Sequence, residues 1–145
     1  MLKINRKELE TLRRHGEQTY PDECCGVLVG DGKDGQRQVR AVVPCSNART
    51  DSLRNRFSID PRELVRILRE ARERGMEIIG FYHSHPDHPA CWSSTDFEEA
   101  HWLGCSYLIT GVNQGKAAET NSFLLLGDLE EHKRFEDEAL TVEDL

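Results

Sequence analysis

Long apolar runs are missing from this 145-residue chain, and no stretch approaches the ~18–20 residues a membrane helix needs. The start, Met1-Leu2-Lys3-Ile4-Asn5-Arg6, is soon charged and has no apolar core of the kind that marks a secretory signal. A basic stripe is missing too. The 19 Lys and Arg face 26 Asp and Glu, a net charge of −7, so nucleic acid and anionic membranes are not the expected partners. The five cysteines, Cys24, Cys25, Cys45, Cys91 and Cys105, are odd in number and contain no CxxC. That argues against a disulfide framework and against a four-cysteine zinc ribbon, and it favours a reducing, cytoplasmic setting. There is no internal repeat and no low-complexity tract.

The length suits one domain. A hydrophobic content of 37% with 31% charged residues suits a globular protein with a modest core. The negative charge is concentrated at the end: from Asp128 to Leu145 eight acids stand against two bases, which leaves residues 1–127 near neutral. Residues 1–127 are therefore expected to form the working domain. Residues 128–145 read as an acidic tail, either solvated or packed as an extension of the same domain, and Glu130–Leu145 is expected to be largely dispensable for metal binding.

Asn5 is placed to cap a helix with apolar positions Leu9 and Leu12, ending near Gly16. Cys25–Gly30 and Gln38–Cys45 read as strands of a hairpin turning at Asp31–Gly35. Ser46–Asn55 is a polar loop, and the alternation in Arg56–Ile59 suggests a short strand. Asp60, Pro61 and Glu63 carry helix-start signals. Leu64, Val65, Ile67, Leu68 and Ala71 follow at helical spacing, and Gly75 closes the helix. Glu77–His83 reads as a central strand, Ser93–His101 as a helix, and Ser106–Thr110 and Ser122–Leu126 as further strands. Strands interleaved with two or three helices and joined by short hairpins indicate an α/β (α+β) sandwich with a mixed β-sheet.

The chemistry-bearing stretch is His83-Ser-His-Pro-Asp-His-Pro-Ala-Cys-Trp-Ser93-Ser-Thr-Asp96. His83 and His85 stand at i and i+2 on a strand end, so period-two geometry sends both imidazoles to one face. Asp96, in the first turn of the next helix, can fold back as a third ligand. Two histidines and a carboxylate leave a fourth position open, the arrangement of a catalytic zinc. Taken alone, each piece has another reading. HxH also describes two half-exposed strand histidines, and Ser93-x-x-Asp96 is also a helix cap.

Together, H-x-H-P, six residues and S-x-x-D resemble the JAMM (MPN+) metalloprotease motif, and Glu23 in Tyr20-Pro-Asp-Glu-Cys-Cys-Gly-Val-Leu-Val-Gly30 stands where that family carries an upstream glutamate. The chain is most similar to the small stand-alone prokaryotic members. The resemblance implies a cytidine-deaminase-like α/β sandwich with one zinc ion at a sheet edge. It implies His83, His85 and Asp96 as metal ligands, Glu23 as general acid/base, and Ser93 as the hydroxyl that stabilises the oxyanion. It further implies hydrolysis of an amide bond at the C-terminus of a ubiquitin-like or sulfur-carrier protein. Two other readings compete. A zinc deaminase needs H-x-E with a later P-C-x-x-C, and neither occurs here. A non-enzymatic MPN scaffold typically lacks ligands that are all present in this chain.

Several neighbours carry open alternatives. Trp92 either walls a substrate groove or packs on the sheet. Cys91 either joins the metal or is a bystander. Cys24 and Cys25 pack at a strand start. His88 either hydrogen-bonds near the site or is solvated. Asn47 either meets the site or makes a turn. His15, His101 and His132 are assigned to the surface.

Overall fold

Asp60 and Pro61 start a helix as their chemistry dictates. Asp60 Oδ1 accepts the Arg62 N–H at 2.9 Å, and Pro61 occupies a position where no amide hydrogen is needed. The Glu63 side chain sits 3.7 Å from Arg66. The helix turns Ile67 and Ala71 inward, but Val65, expected on the same face, is 54% exposed. This helix belongs to a computed structural model that describes residues 1–33, 35–49 and 57–144.

In chain order the elements are β1 (Leu2–Asn5), α1 (Arg6–Thr19), β2 (Cys25–Lys33), β3 (Gln36–Cys45), α2 (Pro61–Glu73), β4 (Glu77–Pro86), α3 (Ser94–Glu99), β5 (Ser106–Asn113), β6 (Lys116–Leu126), β7 (Arg134–Glu138) and β8 (Leu140–Glu143). The eight strands form one sheet in the order β7-β6-β5-β4-β2-β3-β1-β8. The pair β4–β5 is parallel, as are β1–β3 and β1–β8, while β2 runs antiparallel to both β3 and β4. The expected α+β class with a mixed sheet therefore holds. Helix α1 covers one face, packing Leu12 with Leu28, Tyr82 and Leu108. Helix α2 covers the other, packing Ile67 and Ala71 with Val27, Val29 and Phe81.

Several boundaries differ from the sequence reading. Helix α1 is not among them: it is capped by Asn5 and ends at Thr19, soon after Gly16 and before Tyr20-Pro21, as expected. A Cβ at Gly16 would lie 3.1 Å from Val112 and 3.3 Å from Ser84, so this glycine allows close packing rather than stopping the helix. Strand β1 was not foreseen. Phe57–Ile59 forms no strand, and Arg56 lies outside the described residues, as do residues 50–55 of the predicted loop and Asp34 of the predicted turn. Among the described residues on either side, Asn47 Oδ1 accepts the N–H groups of Arg49 and Ser58 at 3.1 Å each. Asn47 thus does turn chemistry. Strands β5 and β6 are longer than expected and meet at a tight turn where Gln114 and Gly115 both have positive φ. Helix α3 ends at Glu99, short of His101. His15 is half-buried, with Nδ1 2.8 Å from Tyr82 Oη, whereas His101 and His132 are exposed as expected.

The acidic segment supplies both edges of the sheet. β7 pairs with β6 and β8 with β1, and the single residue Ala139 joins them. The sheet therefore curls until its edges meet at that point, where Leu2 N–H donates to Ala139 O at 3.0 Å. The Glu138 side chain is only 4% exposed there. It accepts hydrogen bonds from Ser106 Oγ (2.5 Å), Ser122 Oγ (2.8 Å) and Arg37 (3.1 Å), which satisfies a charge that would otherwise be costly to bury.

Candidate metal centre and active site

Strand β4 is buried from Ile78 to Pro86 and lies between β2 and β5. In this strand His83 pairs with Cys25 on one side and Ile109 on the other. His83 and His85 project to one face, as their spacing requires. Their Nε2 atoms are 3.2 Å apart. Asp96 reaches both, with Oδ1 3.2 Å from His83 Nε2 and Oδ2 3.0 Å from His85 Nε2. Among the described residues, these three form the one group of ligand atoms within 4.8 Å of one another.

The surroundings orient each ligand. His85 Nδ1 lies 2.9 Å from the carbonyl oxygen of Pro89, which assigns its proton to that nitrogen and leaves Nε2 as the lone-pair donor. The Phe57 ring stacks on His83 at 4.6 Å. Asp96 is the third residue of α3, and Ser93 is its N-cap. Ser93 Oγ accepts the Asp96 N–H at 3.1 Å, and the Ser93 N–H donates to Asp96 Oδ2 at 2.9 Å. Both readings of Ser93-x-x-Asp96 therefore describe one device, since the cap that starts the helix also orients the carboxylate.

Burial lowers the His83 pKa and favours the neutral, ligand-competent imidazole. Burial acts to lower His85 as well, but Asp96 and the Pro89 carbonyl outweigh it and the net shift is upward. Burial acts to raise Asp96, yet the hydrogen bonds from His83 and His85 hold it well below the usual carboxylate range. Glu23, which precedes β2, is 4% exposed. Desolvation, with the like charges of Asp96 and Glu99, pushes its carboxyl up to about 9.

This donor set fits a zinc ion. Ligands 2.0–2.1 Å from a tetrahedral centre stand ~3.3–3.4 Å apart, close to the 3.0–3.2 Å seen here between the two Nε2 atoms and the Asp96 oxygens. Among the described residues three buried polar atoms have no hydrogen-bond partner, and two of them, Glu23 Oε1 and His83 Nδ1, belong to this site; the third, Glu143 Oε1, is on β8.

Cys91 is exposed and stands outside the ligand group. Trp92 packs on Phe97 (5.7 Å) and Phe135 (5.4 Å), the sheet-packing alternative. Cys24 and Cys25 are buried at the start of β2, and His88 is exposed. The sequence reading missed Pro89, Phe57 and Glu99. A backbone carbonyl leaves no mark in sequence, and nothing in the Phe57 or Glu99 neighbourhood distinguishes them from other loop aromatics or helix acids.

Residues 5–126 match the family Prok-JAB, described as prokaryotic homologs of the JAB domain. The chain belongs to this family. A desampylase of Haloferax volcanii is 44% identical over 89 residues, 61% of this chain and 62% of that protein. The chain thus spans less than two-thirds of that relative. A probable TtuB-protein conjugate cleaving protease of Thermus thermophilus is 32% identical over 117 residues, covering 81% of this chain and 74% of the relative. The solution structure of a Desulfitobacterium hafniense protein superposes with a TM-score of 0.82 at 30% identity, covering 100% of this chain and 94% of that one. Among the described residues of this Prok-JAB chain, no helix is long and apolar enough to cross a membrane.

Proposed function

We propose that this chain is a zinc-dependent (iso)peptidase. It holds one zinc ion, works in the cytoplasm, and hydrolyses an amide bond at the C-terminus of a ubiquitin-like or sulfur-carrier protein. The observation that carries this reading is the convergence of His83, His85 and Asp96 within 4.8 Å, next to a buried Glu23 whose carboxyl feels the charge of Asp96. The names of the two relatives, a desampylase and a conjugate-cleaving protease, support the substrate class. Five free cysteines support a reducing compartment.

His83, His85 and Asp96 would hold the metal. Bound there, zinc supplies charge that polarises the scissile carbonyl, acidifies a water, and draws Glu23 back toward carboxylate. Glu23 Oε1, which no protein group engages, takes the proton from the attacking water and delivers it to the leaving amine. Ser93 Oγ accepts from Asp96 N–H, so its own proton is available to donate to the carbonyl oxygen as negative charge develops; one such donor contributes ~2.7–4 kcal/mol. The His85 Nδ1–Pro89 bond keeps the imidazole from rotating out of position. A scaffold role is less well supported, because Glu23, His83, His85, Ser93 and Asp96 are all retained.

The test compares wild type with Glu23→Gln for zinc content and for cleavage of a ubiquitin-like protein carrying a C-terminal extension. Both should hold about one zinc per chain. The variant should cleave ~10²-fold more slowly or worse. If Glu23→Gln cleaves at the wild-type rate, Glu23 has no catalytic role. If wild type binds zinc but cleaves no such substrate, the substrate assignment fails and the metal site stands.

A further inference from the structure

We propose that Lys133 and Phe135 are positioning residues for the metal centre: Lys133, just before β7, and Phe135 within it hold α3, and with it Asp96, in ligating position. The inference rests on the reading of His83, His85 and Asp96 as a metal site. Both residues lie past residue 126, where the family match ends.

Helix α3 has only six residues and buries none of them. Isolated helices shorter than ~12–15 residues are marginal in water, so the placement of α3 must come from its contacts. The Ser93–Asp96 capping box fixes the first turn internally, and the Asp96 carboxylate meets His83 and His85 of β4, but neither holds the rest of the helix to the sheet. Residues of the acidic segment do that at two points.

The first is the C-terminal end of the helix. Lys133 Nζ donates to the carbonyl oxygens of Ala100 (2.9 Å) and Glu98 (3.3 Å), where unsatisfied carbonyls and the helix dipole favour a cation. The same ammonium sits 5.0 Å from the centre of the Phe97 ring. Its side chain is only 8% exposed, unusual for a lysine and a sign of a fixed position.

The second is the flank. The Phe135 ring lies 5.7 Å from Phe97, edge to face, and 5.4 Å from Trp92. Phe97 follows Asp96 and Trp92 precedes Ser93, so Phe135 braces both neighbours of the capping pair. On its other side Phe135 rests on Tyr107 (5.5 Å) and Phe123 (6.3 Å) in the sheet. A narrow cavity is lined together by His83, Asp96, Ile109 and Phe135, which puts this ring directly behind the ligands. Aromatic pairs of this geometry add to what area burial supplies, and together they hold one short helix in register.

The experiment measures zinc affinity by competition with a colorimetric chelator, with thermal midpoints in parallel. The full chain is compared with Lys133→Met, Phe135→Ala, Phe135→Leu and a control, Val142→Ala, which loosens β8 away from α3. Lys133→Met and Phe135→Ala should bind zinc ~10–100-fold more weakly, the usual cost of losing support behind a ligand. Phe135→Leu should stay close to wild type, and Val142→Ala should keep wild-type affinity despite a lower midpoint. Wild-type affinity in both Lys133→Met and Phe135→Ala would overturn the inference. So would an equal loss in Val142→Ala at a matched midpoint, because the effect would then be general destabilisation. If Phe135→Ala does not fold, Lys133→Met against the Val142→Ala control decides. A wild type that binds no zinc removes the metal site itself, whereas equal affinities across the series remove only the positioning role.

Discussion

Ser93 and Asp96 grip each other from both ends: the Ser93 N–H donates to the Asp96 carboxylate at 2.9 Å, and Ser93 Oγ accepts the Asp96 N–H at 3.1 Å. Only the second bond needs the side chain. Ser93→Ala should therefore cost ~0.5–2 kcal/mol in urea unfolding, the ordinary price of a lost cap. It should keep its zinc, because the backbone bond to Asp96 survives. Hydrolysis should drop ~10²–10³-fold if the hydroxyl serves the oxyanion. Ser93→Thr should recover the stability. Zinc loss in Ser93→Ala would instead show that the cap, not the backbone bond, orients the carboxylate.

Glu23 should make the metal-free protein weaker as pH rises. Its carboxyl is held at about 9 in the fold against an ordinary value of 4.5. The unfolded chain therefore releases its proton first, and stability is whole below 4.5 and declines through the interval up to 9. In chelator-treated protein, Glu23→Gln should be more stable than wild type at pH 7 by up to ~3 kcal/mol. The two should converge in acid. Thermal midpoints at both pH values check this, and parallel curves would show that Glu23 is not the source.

Glu138 should behave as a clamp rather than as one acid among many. Glu138→Ala leaves Arg37 without its carboxylate and frees the hydroxyls of Ser106 and Ser122. Breaking a buried charge pair from one side costs ~3–5 kcal/mol. Glu136→Ala, two residues away and exposed, should change stability by no more than ~0.5 kcal/mol. Denaturant unfolding of the two variants separates the cases. Equal small effects would return the segment to a solvated role. By the same reasoning, deleting residues after Phe135 removes Glu138 and all of β8, and should destabilise the whole sheet.

His15 should tune the acid limb. Burial lowers its pKa from 6.5, so the fold resists protonation that the unfolded chain accepts. Its contribution is intact above about 6.5 and erodes as pH falls below that value, until the lowered folded-state pKa is passed. His15→Asn keeps an acceptor for Tyr82 Oη and removes the titration. The variant should lose less stability than wild type between pH 7 and 5.

The candidate site was more legible than the fold around it. Metal ligands and a cap are short-range patterns, and His83, His85, Ser93 and Asp96 lie within fourteen residues of each other, where strand and helix periods fix directions. Helix α2 was equally clear, since Asp60, Pro61 and Gly75 punctuate it. What failed to show was the closure of the sheet. Strand β1 has four residues, and β7 reads Arg-Phe-Glu-Asp-Glu, a charged string whose last acid, the one with a covered side chain, looks like its neighbours. Glu138 becomes distinct only when Arg37, Ser106 and Ser122 arrive from far away in sequence. Gly16 has a role that the letter alone does not show: its lack of a Cβ lets α1 approach Val112 and Ser84, which are far away in sequence.

The joining of the two outer strands through Ala139 has a consequence for biosynthesis. A ribosome adds ~5–20 residues each second, and residues 133–143 emerge after all the other strands. Until they do, the sheet has two raw edges, Arg37 lacks its counter-charge, and α3 has no lysine at its end. A nascent chain paused before Lys133 already carries His83, His85 and Asp96 but not the residues that hold the third of them steady. Under the proposed zinc site, metal loading is coupled to synthesis of residues 133–143, and a product stalled before them would acquire zinc slowly even though His83, His85 and Asp96 had already been made.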